Sequence, residues 1–281
     1  MHKPAARSLF AVLFCMGVGL APTAHADVAG ELARFQEYFL NKHPDLPLAK
    51  YADGAFALQP NGAEELAALR RSVSLENIIK RGRALYAAPF ANGKGYAACF
   101  RSNGLGIATD YPYYDVLARE VKTFEMEINE CRTRHGEPPY AYGGAEMTAL
   151  LAYLTETSRK NIITVVIPDN PDALAAFEKG KQFFFARRGK WNVACAHCHM
   201  EYDGKRLGDK TLSPALGITS YFPAYYGQWS EVGTLHRRFS DCMARIGAKP
   251  FPAQSEEYRN LEFFLGFMSN GVPLSGPDVR P

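Results

Sequence analysis

Apolar residues recur at amphipathic-helix spacing in two places along the chain. Val121, Phe124, Ile128 and Cys131 step by three, four and three, and Val232, Leu235, Phe239 and Cys242 step the same way. Each set puts its cysteine on the apolar face of a helix. Gly136 and Gly247 follow where a glycine closes a helix C-terminus. Further on, Leu150, Tyr153 and Leu154, and then Leu261, Phe264 and Leu265, predict a terminal helix after each. The continuous apolar run from Leu9 to Leu20 is of another kind. Lys3 and Arg7 precede it and Ala24-His25-Ala26 follows it, so residues 1–26 read as a cleaved export signal. The run is too short to span a bilayer as a mature helix.

The two helical patterns belong to a longer internal repeat. Cys131, Arg134, Gly136, Pro139 and Tyr140 share their spacing with Cys242, Arg245, Gly247, Pro250 and Phe251. Upstream, Gly82-Arg83-Ala84-Leu85-Tyr86 corresponds to Gly180-Lys181-Gln182-Phe183-Phe184. Between the copies, the stretch from Val165 to Pro171 reads as a linker. The expected organisation is a leader segment over 27–72, a first helical domain over 73–160, a linker over 161–170 and a second domain over 171–281.

Composition narrows the function classes. The chain has 281 residues, 47% hydrophobic and 22% charged, which excludes wholesale disorder and suits two compact units. A formal charge of +3 gives no polycation, so a nucleic-acid partner has no support. No later segment is long and apolar enough to anchor the chain in a membrane. Six cysteines remain to be explained. Cys15 leaves with the signal, so an exported chain keeps an odd number.

Cys195-Ala196-His197-Cys198-His199 is the C-x-x-C-H pattern of covalent c-type haem. The two thiols bond the porphyrin and His199 is the proximal iron ligand. The matching stretch of the first copy is Tyr96-Ala97-Ala98-Cys99-Phe100. It lacks one cysteine and carries phenylalanine in place of the histidine. The fold class expected is therefore all-α, two tandem cytochrome c-like domains of which only the second holds haem, one in all.

The other cysteines follow from the repeat. In a haem fold the site's cysteine and the helix cysteine approach the cofactor from opposite sides. Without cofactor, Cys99 and Cys131 can meet as a disulfide closing a loop of about thirty residues; two unrelated buried thiols are the plainer alternative. Cys242 holds the place relative to its site that Cys131 holds to Cys99, and so is expected on the distal side of the haem. Met243 and His236 remain as other distal candidates, with Met268 and Met200 less suited. Arg238 lies four residues before Cys242, on the same helical side. Glu127 stands at the equivalent place in the first copy. A guanidinium there lowers a thiol pKa and binds sulfur oxyanions, although a surface arginine in the pair Arg237-Arg238 is also possible. Arg245 matches Arg134 of the first copy, which favours a structural role for it.

A tandem cytochrome c chain with C-x-x-C-H followed by Arg238-Phe239-Ser240-Asp241-Cys242 and Arg245 resembles the SoxA family, subunits of the periplasmic SoxAX cytochromes of bacterial sulfur oxidation. The single motif at Cys195–His199 resembles the one-haem members. That resemblance implies an L-cysteine S-thiosulfotransferase in which Cys242 is both distal ligand and reactive persulfide, and Arg238 binds substrate. Thiosulfate is then joined to a cysteine of the SoxYZ carrier protein. Electrons leave through haem to a SoxX-type cytochrome subunit, forming a heterodimer, and onward to a small cytochrome c. Two rival readings are a plain monohaem electron carrier and a haem enzyme that joins two thiosulfates into tetrathionate.

Overall fold

The computed structural model describes residues 27–281. The export signal expected over 1–26, with Cys15, lies outside the described residues. After helix α1 (Val28–Lys42) comes a 3-10 segment (Leu48–Leu58), then α2 (Gly62–Ser72) and α3 (Glu76–Ala87). A hairpin of β1 (Tyr113–Asp115) and β2 (Glu120–Lys122) leads into α4 (Phe124–Arg134) and α5 (Ala145–Glu156). The second part runs α6 (Pro171–Phe185), β3 (Arg206–Leu207), β4 (Lys210–Thr211), β5 (Ala224–Tyr226), β6 (Glu231–Gly233), α7 (Leu235–Arg245), α8 (Glu256–Met268) and β7 (Asp278–Arg280).

The fold is helix-rich rather than all-α. Strands of two or three residues are too short to show alternation in the sequence. Val121 and Val232 sit on β2 and β6, so α4 and α7 begin three residues later than the apolar spacing implied. Tyr113 pairs with Lys122 in the first hairpin and Ala224 with Gly233 in the second. In the second, β7 adds a parallel strand on β5, with Ala224 opposite Asp278.

Helices α4 and α7 start and stop by the same local chemistry. The Thr123 and Thr234 hydroxyls cap α4 and α7 by accepting from the Met126 and Arg237 amides. At the other end, the Glu137 amide returns to the Arg132 carbonyl and the Ala248 amide to that of Met243, both 2.9 Å. Those bonds need a left-handed residue, which Gly136 (φ +80°) and Gly247 (φ +71°) provide.

Helix α3 packs on α5, and α6 on α8, at contacts that only glycine permits. A Cβ on Gly82 would stand 1.9 Å from the Ala149 carbonyl oxygen, and one on Gly180 2.0 Å from that of Asn260. Around these crossings lie two apolar cores. The smaller joins Phe90, Tyr96, Phe124, Ile128, Met147 and Leu150 within the first half. The larger is built on Phe177, Phe184, Tyr258, Phe264 and Leu265. It also takes Phe35, Phe39 and Tyr51 from the leader, and Tyr114 and Val121 from the first hairpin. The leader thus precedes the first half in the chain but packs on the second. Arg70 of α2 makes paired bonds of 2.8 and 2.7 Å to Asp278 on β7.

Candidate functional site

The second half encloses a cavity of about 1170 Å³, part of it open to solvent. Phe183, Phe184, Leu261 and Leu265 make one apolar wall, and Cys195, Cys198, His199, Arg238, Cys242, Met243 and Arg245 also face it. All three cysteines outside a disulfide among the described residues line this space.

Cys198 and His199 sit on a widened turn, a π-helical segment from His197 to Glu201. The Tyr202 amide closes it on the His197 carbonyl at 2.9 Å. Such turns are rare and favour functional positions. His199 Nδ1 lies 2.8 Å from the Ser213 carbonyl oxygen. A carbonyl only accepts, so Nδ1 donates here and Nε2 is the ring nitrogen left to meet the cavity. His197 is engaged elsewhere: its Nδ1 accepts from the Ala194 amide at 2.9 Å, and its Nε2 lies 3.1 Å from Arg187.

Helix α7 supplies the opposite wall. Burial pushes the Cys242 thiol up, but Arg238, His199 and Arg245 outweigh it and bring the group to about 7. For Arg238, burial opposes the charge, while Cys242, the Tyr226 and Tyr221 phenols and Asp241 hold it protonated. Its guanidinium lies 5.0 Å over the Tyr226 ring. Cys195 and Cys198 behave differently: burial, with Cys242 adding, pushes Cys195 up to about 12 and raises Cys198 as well.

The remaining sequence candidates fall into distinct places. Met243 faces the cavity from the turn beside Cys242. His236 points away from it. Its Nδ1 accepts from the Gln254 amide at 3.0 Å, and its Nε2 lies 2.9 Å from Glu262. Met268 is buried in the core, and the Met200 carbonyl is held by Tyr38. Arg245 is exposed and lines the cavity, where its charge adds to those that lower the Cys242 thiol. Lys210 and Trp191, also on the lining, carried no sequence signal.

In the first half the corresponding space is closed. Cys99 and Cys131 are joined, with Cα atoms 5.8 Å apart. Phe100 and Tyr96 are buried against Phe124 and Phe90. Glu127 accepts from the hydroxyls of Tyr111 and Tyr113.

This arrangement has close relatives. The profile of the family described as SoxA/TsdA, cytochrome c domain, matches residues 81–163 and 179–274. The chain belongs to the SoxA/TsdA cytochrome c family. The L-cysteine S-thiosulfotransferase subunit SoxA of Allochromatium vinosum is 45% identical over 97% of this chain and 98% of its own length. That of Chlorobaculum thiosulfatiphilum is 42% identical over the whole of both. The crystal structure of SoxXA from P. pantotrophus shares the fold, with a TM-score of 0.71 at 24% identity over 80% of this chain and 86% of that one. A SoxA/TsdA cytochrome c domain implies haem c, and the cavity fits it. The walls are largely apolar, and the thiols of Cys195, Cys198 and Cys242 share the space with the His199 imidazole, whose Nδ1 is engaged outside it. No helix of the described residues is long and apolar enough to cross a membrane.

Proposed function

We propose that this chain is an exported, periplasmic cytochrome subunit that couples thiosulfate oxidatively to a cysteine of a SoxYZ carrier protein. One haem c would be held covalently by Cys195 and Cys198 in the unit over 171–281, and His199 and Cys242 would supply the donor atoms for its iron. The unit over 73–160 is a haemless copy of the same frame, sealed by the Cys99–Cys131 bridge. When bound, haem c supplies an acceptor for the electrons that sulfur–sulfur bond formation releases.

The chain's own residues divide the remaining work. Cys242 is the reactive sulfur and is carried as a persulfide; a thiol near 7 supplies thiolate at neutral pH. Arg238 holds the anionic end of thiosulfate through its forked donors. Overall, thiosulfate and a carrier thiol become a carrier S-thiosulfonate, one proton and two electrons. The shared fold with SoxXA supports a SoxX-type cytochrome as heterodimer partner, with a small cytochrome c beyond it as acceptor.

The observation that carries this reading is the convergence of Cys242, Arg238 and His199 on one cavity. Peptide mass spectrometry of the native protein tests it. The expected masses are one haem on the Cys195–Cys198 peptide and a fraction of Cys242 bearing an extra sulfur. Unmodified Cys242, together with full turnover of free thiosulfate and no carrier, would favour tetrathionate formation instead.

A further inference from the structure

The turn that carries Cys198 and His199 ends on carbonyls that its own ladder leaves open. A π-turn bonds residue i to i+5, and the amides that follow go elsewhere. The Lys205 amide bonds the Tyr202 carbonyl and the Gly204 amide that of Leu212. The carbonyls of Met200 and Glu201 are met by α1, 158 residues earlier in the chain. Lys42 Nζ donates to both, at 3.0 Å to that of Glu201, and the Tyr38 hydroxyl donates to that of Met200 at 2.9 Å. An ammonium there opposes the negative end of the turn.

The same lysine also meets Asp203, whose side chain is 0% exposed. His43 Nε2 reaches the other carboxylate oxygen at 2.8 Å. A charge buried this completely is held only where cationic or N–H donors meet it. The result is a closed set of four side chains, three from the leader and one from the second half. Five residues after Cys99, Gly104 occupies the place of Asp203, and the Asn103 carbonyl accepts from Tyr86 of its own half at 2.7 Å. The set is thus present where a histidine follows the cysteine and absent where Phe100 does.

We propose that Tyr38, Lys42, His43 and Asp203 are a positioning clamp for the proximal-ligand turn, fixing the direction in which His199 presents Nε2. His199 is tethered on the other side by its Nδ1–H to Ser213 and by the Ala215 amide on its carbonyl at 2.7 Å. With both ends held, the imidazole has one orientation, and the axial field and midpoint potential of the haem follow from it. This rests on the reading of His199 as the proximal ligand.

The test uses the full chain with its haem and the variants Lys42→Met, Lys42→Arg and Tyr38→Phe. Lys42 and Tyr38 lie on the surface side of the clamp, so these changes spare the core. In Lys42→Met, the Tyr202 and Ala215 amides should exchange with deuterium at least about tenfold faster, while those of α6 and α8 stay unchanged. The ferric low-spin electron paramagnetic resonance signal should split into more than one population, and the midpoint potential should fall as a nearby cation is lost. Lys42→Arg should restore all three readouts, and Tyr38→Phe should show a weaker form of the exchange and signal changes, with the potential nearly unmoved because no charge is lost. Wild-type exchange, signal and potential in Lys42→Met, with at most a lower melting temperature, would reduce the clamp to packing. If mass spectrometry of the wild type finds no haem on Cys195 and Cys198, the ligand assignment fails instead, and the exchange of Tyr202 and Ala215 still decides whether the leader holds the turn.

Discussion

The centres of the two halves hold opposite things within like surroundings. Around Cys195 the helices stand back from an open cavity lined by three thiols and the His199 imidazole. Around Cys99 the same helical approach ends in a sulfur–sulfur bond, with Phe100 and Tyr96 in the space. The charge at the equivalent helix position also reverses. Arg238 faces Cys242, whereas Glu127 is absorbed by two tyrosine hydroxyls. Caps, closing glycines and the glycine crossing are alike in both. A frame of caps and crossings is therefore compatible with either content, and chemistry depends on the few side chains that face inward.

The sharpest way to break the comparison is Cys242→Ala. Sulfur transfer should fall by roughly 10³-fold or more if Cys242 is the reacting sulfur proposed above, and a steady-state assay with carrier protein reads the loss. Retained activity would make the open cavity no more reactive than the sealed one. Arg238→Ala ranks next, with turnover down roughly 10²-fold and the visible haem spectrum of the same samples unchanged from wild type.

The sealed half should respond in stability rather than in rate. Replacing Cys99 and Cys131 together by alanine removes a cross-link between residues 32 apart in sequence. Chain entropy assigns that bond about 3–4 kcal/mol, so urea midpoints should drop while sulfur transfer at low temperature persists. A comparable loss of activity would show that the first half reaches into the chemistry.

A smaller, pH-dependent effect lies where the halves meet. Glu125 on α4 is buried facing His236, Glu262 and Gln254. Burial, with Glu262 adding and His236 and Gln254 opposing, lifts its carboxyl from 4.5 to about 7. The unfolded chain then gives up this proton first, so stability falls as pH rises between those values and levels off above about 7. Glu125→Gln should remove that decline. Denaturation should show it more stable than wild type by up to about 3 kcal/mol at pH near 8, and nearly equal at pH near 4.

Much of the centre was legible because it is local. The C-x-x-C-H spacing, the step from Phe239 to Cys242 and the two closing glycines are properties of ten or fewer neighbouring residues. What stayed hidden depends on distant parts of the chain. Nothing near Lys42 announces that its ammonium ends on Asp203, and nothing near Glu125 shows that His236 and Glu262 face it. The hairpins over 113–122 and 224–233 escaped because three-residue strands carry no alternation. The spacing that pairs Arg245 with Arg134 likewise does not show that Arg245 lines the cavity.

The larger core has a consequence for dissecting the protein. Phe264 meets Phe35 of the leader as well as Phe177 and Phe184 of its own half, and Val121 of the first hairpin lies in the same core. A fragment beginning at Pro171 would therefore expose a broad aromatic face that the intact chain covers. Calorimetry of the whole molecule should record one cooperative melt rather than two staged ones, and the isolated fragment should self-associate. The cytochrome unit is a region of this molecule, not a module that can be lifted out of it.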